Sequence, residues 1–351
     1  MTGAMKDFKA MADGLIPRRM PSQIAVPDSV NPCLAGVHGL LCHLEFLASP
    51  AFRLGVAFSG GADSTALLHA LAFCIPGRLV AIHVHHGLQP LADAFVSHCE
   101  EQCASLNVPL HVAYVNGKAA RGESPEEAAR KARYAALSQA ARELSISDIA
   151  LAQHADDQVE TLLLALTRGA GLPGLAAMPE RFERHGVMFY RPLLSVASQA
   201  IRRWLLLQKI SFVQDPSNAD EALTRNRIRK QILPVLEKSF PGFRSQFARS
   251  ARHAAQGKRL LETLAASDLA QAGSPPKIKL LQQLSLDRQA NALRYWLKEA
   301  HSISPTDAQL QELIKQVHAC STRGHRIRIK IGTGQVRRED EVLVFGHEAN
   351  C

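Results

Sequence analysis

Short apolar runs alternate with helical patterns of apolar and polar residues over the first half of this chain. The runs typical of buried strands cover residues 53–58, 79–84, 110–115 and 149–153. The helical patterns between and after them cover 63–73, 91–106, a segment capped by Ser124, and 156–167. Strands separated by helices of this length are joined by βαβ crossovers, so the pattern predicts a parallel sheet with helices on its faces.

The chain becomes mainly helical after about residue 198. Helices are predicted at 198–208, 225–238, 252–270, 286–300 and 305–319, and strands at 326–331 and 341–345. We therefore expect a weakly structured leader over 1–50 with one helix near 38–48, an α/β catalytic domain over 51–240, and a smaller substrate domain over 245–351. The last domain is expected to be a mostly helical α+β unit.

The composition is that of a globular protein and argues against two classes. No segment of the 351 residues approaches the roughly 18 consecutive apolar residues that span a bilayer, and the N-terminus lacks the apolar block of a secretory signal. The seven cysteines are scattered and form no CxxC, so neither a disulfide framework nor a zinc site is indicated. We therefore expect reduced thiols and a cytoplasmic protein.

The net charge of +9 is concentrated in one segment of the chain. Residues 191–260 contain fourteen Lys or Arg and four acidic residues, a local balance of +10. A basic surplus confined to one segment favours contact with a polyanion. A solvated basic helix face is the alternative that composition alone leaves open.

The strongest chemical motif lies between the first strand and the next helix. Residues 56–64 read VAFSGGADS, and their candidate nucleotide-binding residues are Ser59, Gly60, Gly61, Ala62, Asp63 and Ser64. Glycines let backbone amides close around phosphate oxygens, and the helix adds its free N–H groups and positive dipole end. A carboxylate at Asp63 suits such a site if Mg²⁺ bridges it to the phosphate. The loop lacks the lysine of GxxxxGK[ST], which excludes a kinase-type phosphate loop.

This loop resembles the SGGxDS signature of the N-type ATP pyrophosphatases. The resemblance implies a flavodoxin-like, adenine nucleotide alpha-hydrolase-like parallel sheet. It also implies that ATP is cleaved to AMP and pyrophosphate while a substrate is adenylated.

Further motifs narrow the resemblance to the tRNA(Ile)-lysidine synthetase family. They are EEAARKARYAAL at 126–137, HADDQVET at 154–161, RGAGLPGL at 168–175, DPSN at 215–218 and RNRIR at 225–229. The resemblance implies that ATP adenylates carbon 2 of the wobble cytidine in an isoleucine tRNA with a CAU anticodon. Free L-lysine then displaces AMP. A homodimer is left open.

The candidate catalytic residues are Asp63, His154, Asp157, Arg225 and Arg229. His154 and Asp157 follow the fourth strand, at the sheet edge where open α/β folds bind ligands. Asp157 either shares the magnesium ion with Asp63 or holds the ammonium group of lysine. His154 either donates to a phosphate or accepts the proton of the amine. An arginine at 225 or 229 is suited to stabilise the departing pyrophosphate.

Other segments give weaker signals. The glycine-rich residues 168–174 are predicted to form a loop near the cleft, and Glu160 is expected to lie behind the reacting groups. His85 and Gln89 depart from the family pattern, so we assign them no ligand, and the histidines at 83 and 85 are interpreted as structural. Basic residues on the two C-terminal strands suit a phosphate backbone or a solvated sheet face.

Two other functions remain as alternatives. A tRNA thiolation enzyme of the same class would need paired cysteines, and the chain offers only Cys99 and Cys103, four residues apart. A non-catalytic nucleotide or RNA-binding module would keep the glycines but would not require Asp63, His154 or Asp157.

Overall fold

The computed structural model describes residues 30–44, 49–85, 92–115, 125–214, 223–322 and 324–347. The predicted cap Ser124, the motif at 215–218 and the departure at Gln89 lie outside these residues. The described chain forms two compact units that divide near Ala251, with Gly171–Ala176 belonging to the second unit.

The first unit is an α/β domain. Its strands are β1 (Leu54–Ala57), β2 (Leu79–His85), β3 (Leu110–Tyr114), β4 (Asp148–Ala150), β5 (Arg181–Arg184) and β6 (Val187–Tyr190). Its helices before β6 are α1 (Leu34–His43), α2 (Ala62–Cys74), α3 (Ala92–Ser105), α4 (Pro125–Glu143) and α5 (Ala155–Thr167); the short α6 (Leu172–Leu175) comes next in the chain but belongs to the second unit. After β6 come α7 (Ser198–Leu207), α8 (Thr224–Arg227), a π-helical turn (Ile228–Ile232) and α9 (Leu233–Ser239).

The six strands form one sheet in the order β3-β2-β1-β4-β6-β5. The pairs from β3 to β6 are parallel, and only β5 runs antiparallel, against β6. Because β1 and β4 are neighbours but their connections leave in opposite directions, the carboxyl ends of these two strands form a crevice. The expected α/β parallel sheet is therefore confirmed.

Apolar cores lie on both faces of this sheet. Ala81 belongs to the core that contains α1, α2 and α7, whereas its neighbour Ile82 belongs to the core built on α4. Successive strand residues point to opposite faces, so a strand buried on both sides reads as an uninterrupted apolar run. This is why the first four strands are recognisable in the sequence.

Several features differ from the sequence predictions, which also missed a strand at Gly334–Glu339, between the two strands predicted near the C-terminus. The helix expected near 38–48 begins earlier, at Leu34, and packs into the core through Val37, Leu40 and Leu41. The hairpin of β5 and β6 was not predicted. Its turn places both His185 and Gly186 at positive φ, a geometry that favours glycine or asparagine. The segment predicted as an irregular loop contains the short helix α6.

The second unit contains a helical layer and a small sheet. Its elements are α10 (Phe243–Ala272, which begins in the first unit), α11 (Ile278–Leu281), α12 (Leu286–His301), α13 (Asp307–Ala319) and the strands β7 (Arg328–Ile331), β8 (Gly334–Glu339) and β9 (Val342–His347). The three strands are antiparallel in the order β7-β8-β9. Its core is built on Trp296 and Leu297 of α12, Leu313 of α13 and Ile331 of β7. The predicted domain boundaries themselves remain predictions.

Candidate active site

The phosphate loop connects β1 to α2 and is held by its own hydroxyl groups. Ser64 is buried, and its Oγ accepts a hydrogen bond from the backbone N–H of Ser59 at 3.2 Å and donates to the carbonyl of Gly61 at 3.1 Å. The side chain of Thr65 donates to the same carbonyl at 2.9 Å. No side chain caps α2, whose N-cap is Gly61, so its first amides remain available to an anion.

Gly60 is the position where the loop requires glycine. Its φ is +77°, and a Cβ there would lie 3.1 Å from Sγ of Cys99 and 3.3 Å from Cδ2 of His98. Its carbonyl accepts a hydrogen bond from the N–H of Val213 at 2.9 Å. The loop is therefore fixed on one side by α3 and on the other by the segment that follows α7.

Asp63 lies in the first turn of α2 with one unused oxygen. Oδ1 is buried and has no hydrogen-bond partner among the described residues, while Oδ2 lies 3.6 Å from Nε2 of His154. Burial raises the pKa of Asp63, but His154 and the charges of Arg202 and Arg229 outweigh it, so the pKa lies below its ordinary value. The carboxylate is thus ionised and keeps one buried oxygen without a partner among the described residues.

His154 and Asp157 form the start of α5. The side chain of Asp157 accepts the backbone N–H of His154 at 3.0 Å, and Nδ1 of His154 faces the N–H of Asp157 at 3.4 Å, which together have the geometry of a capping box. Burial lowers the pKa of His154, but the carboxylates of Asp157, Asp63 and Asp156 raise it to about 9. With this pKa the imidazole is charged at neutral pH; Nδ1 then carries a proton, so the 3.4 Å contact with the N–H of Asp157 is not a hydrogen bond, and the side chain of Asp157 alone caps the backbone N–H of His154.

Glu160 and Arg229 form a pair directly behind Asp157. Both oxygens of the fully buried Glu160 accept from the guanidinium, at 2.8 Å from Nε and 3.1 Å from Nη2. The same Nη2 also lies 3.3 Å from Oδ1 of Asp157. Such a bidentate pair fixes the plane of the guanidinium, so Arg229 is held at the acidic start of α5.

A second arginine holds the remaining carboxylate of this turn. Nε of Arg244 donates to Oδ1 of the buried Asp156 at 2.7 Å, and Oδ2 of Asp156 accepts the backbone N–H of Ser198 at 2.8 Å. Asp156 therefore joins the first turn of α5 to the beginnings of α7 and α10.

The structure brings most of the predicted site residues together. The loop residues 59–64, His154, Asp157 and Arg229 meet at the carboxyl ends of β1 and β4. Arg225 is half-buried in α8, and its charge, like that of Asp157, acts on Arg133 of α4.

The ion pairs behind the site were not predicted from the sequence. No sequence pattern identified Arg244 as the partner of Asp156 or Arg229 as the partner of Glu160. The one signal in the sequence was the set of acidic residues at 156, 157 and 160, spaced along one side of the helix.

His83 has a structural role, in agreement with its interpretation from the sequence. The residue is buried, and its Nδ1 lies 2.9 Å from the carbonyl oxygen of Phe58, at the end of β1. Within the described part of the chain, no three or more His, Cys, Asp or Glu side chains are grouped as a ready-made metal site. Any cation bound here must therefore take further ligands from a substrate or from water.

The geometry describes a site for an anionic nucleotide. The first amides of α2 have no side-chain cap, Asp63 is an ionised carboxylate with an oxygen that has no partner among the described residues, and Arg229 is ordered at the start of α5. The fold and this loop define the PP-loop class of ATP-binding proteins. A PP-loop domain family matches residues 42–236, which is more than half of the chain.

The comparisons with relatives are more specific. The chain is 56% identical to a tRNA(Ile)-lysidine synthase of Polaromonas naphthalenivorans over 92% of this chain and 97% of that protein. It is 40% identical to a tRNA(Ile)-lysidine synthase of Burkholderia pseudomallei over 79% of this chain, and spans 58% of that longer relative. The TilS substrate binding domain matches residues 277–344. This chain belongs to the tRNA(Ile)-lysidine synthase family.

A solved structure supports the fold alone. The U34-tRNA thiolase NcsA from Methanococcus maripaludis with its [4Fe-4S] cluster superposes with a TM-score of 0.51 at 16% identity, covering 58% of this chain and 71% of that chain. The family expected from the sequence, its fold class and its activity as an ATP-using ligase are confirmed by the relatives and the matched domains. Among the described residues, no helix is both long and apolar enough to cross a membrane.

Proposed function

We propose that this protein joins free L-lysine to carbon 2 of the wobble cytidine in an isoleucine tRNA with a CAU anticodon, using ATP. The cytidine is first adenylated, with release of pyrophosphate, and an amino group of lysine then displaces AMP. Membership of the family supports this reaction. The observation that carries it for this chain is the phosphate loop with the unused carboxylate oxygen of Asp63 beside the acidic start of α5.

The phosphate loop binds the triphosphate. Its amides and the N-terminus of α2 supply hydrogen bonds and a positive dipole end, and the hydroxyl groups of Ser59 and Ser64, which lie 3.1 Å apart, hold the loop in shape. Preformed donors cost little reorganisation when charge develops on the departing pyrophosphate. The residues 59–64 thus bind ATP and orient its phosphates for attack.

The site fits a Mg²⁺ ion. Oxygen ligands suit this cation, and Oδ1 of Asp63 is a buried oxygen without a partner among the described residues, so we propose Asp63 as its protein ligand. Asp157 is the second proposed ligand. Each of its oxygens accepts one hydrogen bond and retains a further lone pair. When bound, the ion would neutralise charge on the phosphates and polarise them for transfer.

Arg229, Arg225 and His154 surround the reacting phosphates in this proposal. Arg229 is ordered by Glu160 and offers its remaining N–H groups to pyrophosphate, and Arg225 lies one helical turn earlier. His154 lies 3.6 Å from Oδ2 of Asp63 and fixes the orientation of that carboxylate. Asp157 is also available to hold the ammonium group of lysine.

The reactants imply the remaining partners. A CAU-anticodon isoleucine tRNA and lysine are the proposed substrates, and a homodimer is kept as an open proposal. The six cysteines within the described residues are all free thiols, which suits a cytoplasmic enzyme acting on tRNA.

The thiolation alternative is not favoured. Burial raises the pKa of Cys99 to about 12 and that of Cys103 to about 11, so both side chains are neutral thiols. A cluster ligand or sulfur carrier needs an accessible thiolate. Cys99 instead packs against Gly60 of the loop.

One assay tests the proposal directly. The protein is mixed with ATP, labelled lysine and transcripts of either isoleucine or methionine tRNA, both of which carry a CAU anticodon. We expect label to enter the isoleucine transcript alone, with release of pyrophosphate. Release of pyrophosphate without incorporation of lysine, or incorporation into neither RNA, would contradict the proposal.

A further inference from the structure

Apolar side chains are exposed on α9, which follows the turn that carries Arg229 of the candidate active site. On α9 and the turn before it, Ile232 is 42% exposed, Val235 60% and Phe240 63%. Residues 232, 235 and 238 recur at intervals of three, so Ile232, Val235 and Lys238 lie on one side of this segment, and Phe240 follows its end. We call these four residues the α9 outer face.

The exposure of the α9 outer face does not result from poor packing of this segment. The same segment buries Ile228 and Leu233 against Val159 of α5 and Phe243 of α10. Phe243 is 2% exposed, whereas Phe240, three residues earlier, is 63% exposed. The turn between them contains Gly242 with a φ of +83°, which directs the chain so that only one of the two rings enters the core.

The charge around this face is positive. Residues 223–240 contain five Lys or Arg and one acidic residue, Glu237, which is paired with Arg244. Lys238 lies within the face, and the exposed Arg227 precedes it on α8. Exposed apolar and aromatic side chains among basic ones are suited to bind an RNA loop. The basic side chains contact its phosphates, and its unpaired bases stack on the apolar side chains.

The face also follows directly, along the chain, a residue of the catalytic cluster. Arg229 belongs to the π-helical turn that leads into α9, and its guanidinium is bonded to Glu160 and Asp157 of α5. A nucleotide that enters the crevice beside Asp157 therefore has the rest of its strand close to α9.

We propose that the α9 outer face binds the unpaired anticodon-loop nucleotides that flank the reacting cytidine, with Phe240 as the stacking platform. This inference rests on the proposed function and adds the surface that holds the loop. It commits to single-stranded RNA, because a double helix would hide its base faces from Phe240.

The test compares two exposed phenylalanines in the full-length protein. Phe73 of α2 is 67% exposed but lies at the far end of its helix from the phosphate loop, so Phe73→Ala is the matched control for Phe240→Ala. We expect Phe240→Ala to raise the KM for the isoleucine tRNA roughly ten-fold, as for loss of one stacked base. The KM for ATP should not change in either variant, which also reports intact folding.

A binding experiment distinguishes recognition of an RNA loop from recognition of an RNA duplex. An RNA hairpin with the CAU loop and a fully paired duplex of the same stem are titrated against wild type and both variants. Phe240→Ala should weaken binding of the hairpin only. Lys238→Gln should weaken the binding of both RNAs. It should also lower the slope of log affinity against log salt concentration by about one.

The outcomes are distinct. Unchanged tRNA KM and hairpin affinity in Phe240→Ala, in an enzyme whose wild type transfers lysine, would overturn this inference and leave the proposed function standing. A wild type that transfers lysine to no tRNA would overturn both. If Phe240→Ala lost dimerisation and kept its RNA affinity, the face would belong to a second copy of this chain and the inference would be wrong.

Discussion

Three carboxylates converge beside the phosphate loop, and their hydrogen bonds decide what each one can do. Both oxygens of Glu160 are taken by Arg229, and Asp157 caps α5 and contacts the same arginine. Only Asp63 keeps an oxygen, Oδ1, without a partner among the described residues. A carboxylate that is buried and left partly unsatisfied is a site for a ligand, because an unpaired polar atom costs free energy until something binds it.

Asp63→Ala should remove activity without removing stability. The substitution deletes the proposed metal ligand but no capping or packing interaction, so we expect pyrophosphate release to fall at least roughly a hundred-fold. The midpoint of urea unfolding should fall only slightly, because the 3.6 Å contact with His154 is lost but a buried oxygen without a partner is removed as well. Asp157→Ala provides the contrast, because it also removes the cap of α5 and should lower the free energy of unfolding by about 1 kcal/mol. Normal pyrophosphate release by the Asp63 variant would refute its role.

Gly60→Ala should damage the loop more than the same change at another left-handed glycine. Gly77 has a φ of +72° and no atom within 4 Å of an added methyl group, so Gly77→Ala costs only the conformational penalty, about 1–2 kcal/mol. At Gly60 the methyl group also meets Cys99 and His98. Urea unfolding should show a larger loss for Gly60→Ala, and calorimetry should show weakened ATP binding for that variant alone. Equal losses in the two variants would mean that the close packing is unimportant.

At the scale of elements, the sequence predicted what is encoded locally. The strands β1 to β4 are recognisable because burial on both faces leaves continuous apolar runs. The phosphate loop is recognisable because its backbone conformation requires glycine. The β5–β6 hairpin was missed, since strand β5 reads RFER and exposes Arg181 and Glu183 at the sheet edge. The pairing of Glu160 with Arg229 could not be predicted, because it joins residues 69 positions apart.

The roles of Arg229 in folding and in catalysis can be separated by a pair of substitutions. Arg229→Gln leaves the buried charge of Glu160 unpaired, and we expect a loss of about 1–3 kcal/mol in the free energy of unfolding. Adding Glu160→Gln removes that charge and should restore most of the stability. Pyrophosphate release should remain low in the double variant, because the arginine is still absent. A stable double variant with wild-type activity would show that Arg229 serves only the fold.

At the scale of the whole molecule, charge is distributed for contact with a polyanion. The net charge is +9, and residues 191–260 alone account for a balance of +10. Some of these arginines, such as Arg229 and Arg244, are committed to internal carboxylates. Others, such as Arg227, Lys238 and Arg249, are exposed. The sequence showed the surplus but not which residues would pair with internal acids.

Binding of tRNA should therefore weaken steeply as salt increases. Each phosphate contact releases condensed counterions, and with about six or more contacts the affinity should fall roughly a thousand-fold between about 50 and 200 mM salt. Filter binding over this range measures the slope, and ATP affinity measured in parallel provides the control. A slope near zero would mean that the basic segment does not contact the RNA.

The arginines that pair with the carboxylates at the start of α5 determine when the site can form during translation. The acidic residues at 156, 157 and 160 are synthesised well before the arginines that pair with them. Arg229 follows Glu160 by 69 residues, and Arg244 follows Asp156 by 88. A nascent chain that ends at Tyr190 already carries all six strands, yet its acidic turn still lacks both guanidinium groups. The nucleotide crevice therefore reaches its final form only after the basic segment has been synthesised.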